Sequence, residues 1–281
     1  MAEKSAIRVI QADAQGRCGC GEGEIIRLTL DVYGEPAHLV IALKDERAKL
    51  ADMVPLARAV SARITEKVSE IVRLNGGTIP CCKGCSACCN YLVPLAIPEV
   101  FRLREEVLAM PVARQLIIEQ GCLLAARRIV GKQPPASFAE PGGVQAAGSA
   151  AELLNTASSW YADFELSCPF LHNDICTIYE ERPMVCREYS VSGSSRACGG
   201  GAGEPQVVCA PARMSEVLGR LASDLERTSV EALIMPLALI WADENRQRCA
   251  RTWPARIMVE RFIEIVCEEL PKSSVEVLAR V

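Results

Sequence analysis

The sequence predicts a mainly α-helical (α+β) protein: a helical cysteine-cluster domain with irregular loops, preceded by a small N-terminal β-hairpin and helix. Three observations predict it. Apolar residues recur at three- and four-residue steps over residues 50–74 and again through most of 212–270. A turn signal, Tyr33-Gly34-Glu35-Pro36, separates two apolar stretches near the N-terminus. Between these regions lie two cysteine-rich segments whose Gly, Pro and Ser content argues against long regular elements.

Length and charge narrow the function classes. A chain of 281 residues can bury one large core or two, and the expected division is 1–77 and 78–281. Lys and Arg number 31 against 35 Asp and Glu, a net charge of −4 that gives no electrostatic case for nucleic acid or an anionic membrane. Residues 1–17 scatter charges and lack the apolar run of a signal peptide. The most apolar run, Val230 to Ala242, contains Glu231 and is too short to span a bilayer. A cytoplasmic location is expected. Fifteen cysteines in a reducing compartment, odd in number, are not a disulfide framework. Clustered ones read as ligands and isolated ones as small buried apolar residues.

Taken in order, Cys18 and Cys20 stand in a glycine-rich stretch and are weighed as additional ligands or as residues without a role. Ile25–Val32 and His38–Leu43 form the expected hairpin, with His38 facing solvent. Leu56, Val60, Ile64, Val68 and Ile71 mark a helix that ends at Asn75-Gly76-Gly77. Pro98-Glu99 opens a second helix to about Leu108, and a third covers 112–130 with Cys122 in its core face. Residues 131–150, rich in Pro, Gly, Ala and Ser, read as a flexible insertion. Asn173-Asp174 suggests a turn, and the Thr177-x-x-Glu180 spacing predicts a short helix starting after Thr177. A second glycine-rich loop follows Cys198. The rest reads as helices at 214–225, 230–248 and 254–270 with a short tail. Trp241, Trp253, Cys249 and Cys267 are expected to pack in the core.

The chemistry concentrates in Cys81-Cys-Lys-Gly-Cys-Ser-Ala-Cys-Cys89, five cysteines in nine residues. Cys82, Cys85, Cys88 and Cys89 have the spacing C-x2-C-x2-C-C, which lets several sulfurs converge on one centre. Cys82, Cys85 and Cys88 reproduce half of a bacterial [4Fe–4S] pattern, and Cys168-Pro169 is available as the remote fourth ligand. Zinc is the alternative, since four thiolates also satisfy a tetrahedral ion. Cys81-x3-Cys85-x2-Cys88 also matches the triplet of radical S-adenosylmethionine enzymes. Ala87 stands where those usually have an aromatic residue, and no barrel-like alternation surrounds it.

The second segment repeats the emphasis on sulfur: Cys168-Pro-Phe-Leu171, Cys176-Thr-Ile-Tyr179 and Arg182-Pro-Met-Val-Cys186-Arg187. Together the two segments resemble the family named for its CxxCxxCC signature, a zinc- or iron-chelating domain. The resemblance covers roughly residues 80–190 and includes seven cysteines: Cys82, Cys85, Cys88, Cys89, Cys168, Cys176 and Cys186. It implies metal binding. A branch of that family, the flagellin lysine N-methylases, implies an alternative: methyl transfer to protein lysines from S-adenosylmethionine. No glycine-rich strand-to-helix turn followed by an acidic residue accompanies it here.

The expected function is therefore metal binding, as an iron–sulfur cluster (4Fe–4S) or zinc, for redox or metal handling with an unidentified protein or redox partner. Cys82, Cys85, Cys88 and Cys168 are the first-choice ligands. Cys89, Cys176 and Cys186 are further ligands or a second site. Arg182 and Arg187 are expected to offset thiolate charge and Tyr179 to hydrogen-bond near sulfur, against an alternative in which both arginines pair with Glu180, Glu181 or Glu188. His172 reads as a solvent-facing turn residue rather than a zinc ligand. No Ser/His/Asp set or phosphate-cradling loop names a reaction.

Overall fold

The computed structural model describes residues 6–10, 23–132, 150–199 and 205–280. Cys18, Cys20, most of the expected 131–150 insertion and the glycines after Gly199 fall outside them. The N-terminal part runs β1 (Ile7–Ile10), β2 (Glu24–Val32), β3 (Glu35–Leu43), β4 (Arg47–Ala48), a 3-10 turn at Leu50–Met53 and α1 (Val54–Leu74). After the first cysteine segment come β5 (Pro94–Ala96), α2 (Ile97–Leu108), α3 (Val112–Val130) and α4 (Ala150–Ala162). The second segment holds β6 (Leu171–His172), β7 (Ile175–Cys176), α5 (Met184–Glu188), β8 (Val191–Ser192) and β9 (Gln206–Val207). The chain ends with α6 (Met214–Glu226), β10 (Ala232–Ile234), α7 (Met235–Glu244), α8 (Arg246–Cys249), β11 (Trp253–Pro254), α9 (Ala255–Glu269) and β12 (Ser274–Arg280).

The fold is α+β, with the N-terminal hairpin in place. Val32 pairs with Glu35, so the connection is the two residues Tyr33 and Gly34. Their φ values of 55° and 89° are both positive, as a turn matched to strand twist requires. Along β2 the residues Ile26, Leu28, Leu30 and Val32 are buried while Arg27, Thr29 and Asp31 are half-buried, the period-two pattern of a sheet with one core face. His38 on β3 is exposed and lies 3.0 Å from the Thr29 hydroxyl.

Two strands of the main sheet escaped the sequence reading. β1 and β12 extend the hairpin into a four-stranded antiparallel sheet in the order β1-β3-β2-β12. The expected C-terminal tail is thus the edge strand beside β2. One core cluster joins the sheet's inner face to α1, α2, α6, α7 and α9, through Leu28, Ile41, Leu56, Phe101, Leu218, Leu239 and Phe262. Cys122 is 1% exposed in this core, and Cys249 and Cys267 pack against it half-buried. Trp241 stacks on Phe101 at 5.7 Å.

Two helix boundaries differ from expectation. The apolar run at 230–248 is not one helix: Ala232–Ile234 pairs with Pro94–Ala96, and Pro236 near the N-terminus of α7 sets the start of the helix proper. The turn after Thr177 carries no helix. The Thr177 hydroxyl and N–H both bond to the Phe170 carbonyl, so the residue that was to cap a helix instead closes the loop back on the cysteine segment. The short helix starts seven residues later, after Pro183.

Candidate metal centre

The first cysteine segment leaves α1 and runs as consecutive turns. Cys85 N–H bonds to the Cys82 carbonyl (3.1 Å), Cys89 N–H to that of Ser86 (2.9 Å) and Tyr91 N–H to that of Cys88 (3.1 Å). Gly84 has φ of +95° at the third position of the first turn, a conformation that favours glycine. The first turn closes the Cys82-x2-Cys85 spacing, while the second, Ser86 to Cys89, is offset by one residue from Cys85-x2-Cys88.

The second segment docks directly on the first. Cys168 N–H donates to the Cys89 carbonyl at 2.8 Å, joining backbone to backbone across about eighty residues of sequence. Leu171 N–H closes a turn on the Cys168 carbonyl (2.9 Å), and the amides of Phe170 and Leu171 both donate to the Cys168 sulfur. Such amide donors favour the thiolate a metal requires. Asn173 and Asp174, φ 49° and 58°, form the expected turn between β6 and β7, with His172 exposed beside it and Cys176 half-buried.

Cys186 sits on α5, and two carboxylates, the buried Glu99 and the half-buried Glu188, clamp that helix. Glu99 of α2, 3% exposed, accepts from Met184 N–H (2.7 Å) at the helix start and from Ala96 N–H (3.2 Å) at its own N-terminus. Glu188, at the end of α5, accepts from Met214 N–H (2.6 Å) and the Ser215 hydroxyl (3.1 Å), capping α6. Burial lifts both carboxyls to about 7. Arg114 of α3 adds a bond to the Thr177 carbonyl.

The sulfurs form two neighbouring groups sharing Cys88. Cys89, Cys168, Cys176 and Cys186 lie close enough for their charges to interact, and Cys88 acts on Cys89, Cys168 and Cys186. In the other group, Cys81 interacts with Cys85, Cys88 and Cys198, and Cys198 with Cys85 and Cys88. Cys82 is exposed in the first turn. Cys81 and Cys198 were not among the sequence-derived ligands. Val191 N–H lies 3.5 Å from the Cys81 sulfur, Tyr91 donates to the Cys198 carbonyl at 2.7 Å, and the Tyr189 hydroxyl bonds to the Cys198 side chain.

Protonation differs sharply among these thiols. The Cys89 S–H donates to Cys88, and that bond, with Arg182 adding its charge, pushes the Cys88 thiol down and the Cys89 thiol up. Burial raises Cys168 to about 12 and pushes Cys186 up as well. Among the described residues, no three Cys, His, Asp or Glu side chains are drawn together closely enough to hold an ion. The donor set nevertheless suits a soft ion: thiols adjoin one another, amides already point at one sulfur, and a guanidinium faces another.

Residues 81–210 match the family model described as "CxxCxxCC: Putative zinc- or iron-chelating domain". This segment is what resembles the CxxCxxCC family. The matched region reaches beyond the sequence-derived resemblance to include Cys198 and Cys209. No curated protein and no solved structure matches the chain.

Around the matched segment the charged residues take specific places. Arg182 stacks over the Tyr179 ring at 4.0 Å, and Lys83 of the first segment lies 5.9 Å from the same ring while pairing with Glu180 at 3.8 Å. The surface pairing considered for the two arginines does not occur among the described residues. Glu180 takes Lys83, the Glu181 carbonyl accepts from Arg58, and Glu188 caps α6. Arg187 Nε donates to the Arg182 carbonyl at 3.0 Å, and burial together with Arg58 and Arg182 pushes its pKa down. Of the described helices, none is long and apolar enough to cross a membrane.

Proposed function

We propose that the matched segment holds an iron–sulfur cluster through Cys82, Cys85, Cys88 and Cys168, with Cys89, Cys176 and Cys186 as further ligands or a second site, and that the protein serves redox or metal handling. The observation that carries this reading is the Cys168–Cys89 backbone bond, which brings the two sulfur-rich segments into one neighbourhood. Bound there, a cluster would supply one-electron chemistry to a protein partner. Zinc would supply structure or metal transfer instead.

The chain's own residues prepare the site. Cys88, whose thiol is pushed down by the Cys89 S–H, is the sulfur best able to take a metal first. Arg182 lowers the cost of the accumulating negative charge, and the Phe170 and Leu171 amides stabilise the Cys168 thiolate.

The test is metal content in paired variants. Cys85→Ala and Cys168→Ala should lose the metal, whereas Cys267→Ala, on α9, should keep it. Equal content in all three would sink the ligand assignment. Adding S-adenosylmethionine to the loaded protein separates the methyl-transfer alternative, because a ligand bound only by the folded state raises its melting temperature.

A further inference from the structure

Cys186 and Arg187 are consecutive on α5, but Arg187 lines a cavity of about 250 Å3 against α1. From α1 come Ser61, Thr65 and Ser69, one stripe at four-residue spacing in which the Ser69 hydroxyl already donates to the Thr65 carbonyl at 2.7 Å, and the cavity's lining also includes Arg182 and Arg187. Ser61 is 2% exposed, and its Oγ has no hydrogen-bond partner. The buried Nε atoms of Arg182 and Arg58 lack partners too. Arg58 is neutralised by Glu106 at 2.5 and 3.0 Å, whereas neither Arg182 nor Arg187 is ion-paired among the described residues. Glu66 also lines the cavity, but its carboxylate is engaged by Arg63 at 2.9 Å.

We infer that this cavity binds a phosphate group, presented as inorganic phosphate or as a phosphomonoester. Of the buried donors without acceptors, the Ser61 hydroxyl and the Arg182 Nε belong to residues that line this cavity, and such donors destabilise the fold unless water or a ligand supplies the acceptors. The available donors come from two segments, α1 and the chain leading into α5. A tetrahedral oxyanion, whose oxygens point in several directions, meets them better than a planar carboxylate does. The inference does not depend on which metal the adjacent sulfurs take.

The test is calorimetric titration of the full chain with sodium phosphate and, separately, with glycerol 2-phosphate, at ionic strength held constant with chloride. Saturable binding of either is expected. Ser61→Ala and Arg187→Gln should each weaken it about tenfold or more. Arg246→Gln, which removes a charge from a side chain 79% exposed, should leave it unchanged. Metal content measured on the same Ser61→Ala sample should equal that of the unmodified protein, so failure of the phosphate site and failure of the metal centre are read separately. Heats that never saturate with either probe would overturn the inference. So would equal weakening in all three variants, the mark of charge alone.

Discussion

Glu99 governs two helix starts at once, because its two carboxylate oxygens accept from Ala96 and Met184. Burial raises its pKa from 4.5 to about 7, so between those values the folded protein binds a proton that the unfolded chain does not. Stability contributed by the protonated form is present at low pH and is lost as pH rises through about 7. Across that window the loss amounts to about 2–3 kcal/mol. Glu99→Gln cannot ionise, yet it places an NH2 against one of the two amides, costing about 1 kcal/mol at pH 5. Urea unfolding of the two proteins should therefore give a stability gap that favours the unmodified chain at pH 5 and narrows or reverses by pH 8. Parallel profiles would contradict the assignment. In the sequence Glu99 read only as a helix opener beside Pro98. Its second bond, to a residue 85 positions away, has no local signature.

At the scale of elements, the turn containing Gly84 and the helix containing Cys186 are the parts that set sulfur positions. Gly84→Ala forces a β-carbon onto φ of +95°, where space is open but the backbone is strained by about 1 kcal/mol. Metal loading should fall several-fold in a competition with a chelator, while far-UV circular dichroism stays unchanged. Unaltered loading would mean that the turn does not set the site. The elements legible in the sequence were those with local periodicity or spacing: α1, α2, α3 and the hairpin all carry their signal within a few residues. α5 was misplaced because Thr177, whose spacing suggested a cap, bonds to Phe170 instead. β1 and β12 were missed because their pairing partners are distant in sequence, and no property of Ser274–Arg280 alone points to β2. For the candidate site, the cysteine spacing made the two segments conspicuous. It did not reveal that Cys81 and Cys198 stand beside Cys85 and Cys88, since neither falls in the signature.

For the whole molecule, the candidate metal centre lies between segments already tied together. α2 and α6 are tied to α5 through the carboxylates of Glu99 and Glu188, α3 reaches Thr177 through Arg114, and Cys168 is bonded to Cys89. A metal there would cross-link segments that the polypeptide leaves about eighty residues apart, so binding and folding of 81–210 are linked. Stripping the metal with a chelator should lower the melting temperature and raise amide exchange in residues 81–91 and 168–198, while β2, β3 and α9 stay protected. Uniform loss of protection would contradict that division. Because Cys168 must give up a proton held up to about 12 and Cys186 one held higher than usual, loading should release protons and tighten as pH rises. The central claim, one iron–sulfur centre built from both cysteine segments, is tested most directly by iron, zinc and acid-labile sulfide analysis on protein purified without oxygen, with its visible spectrum. The account predicts a brown protein with iron and sulfide in equal amounts. A colourless protein with stoichiometric zinc and no sulfide would contradict it.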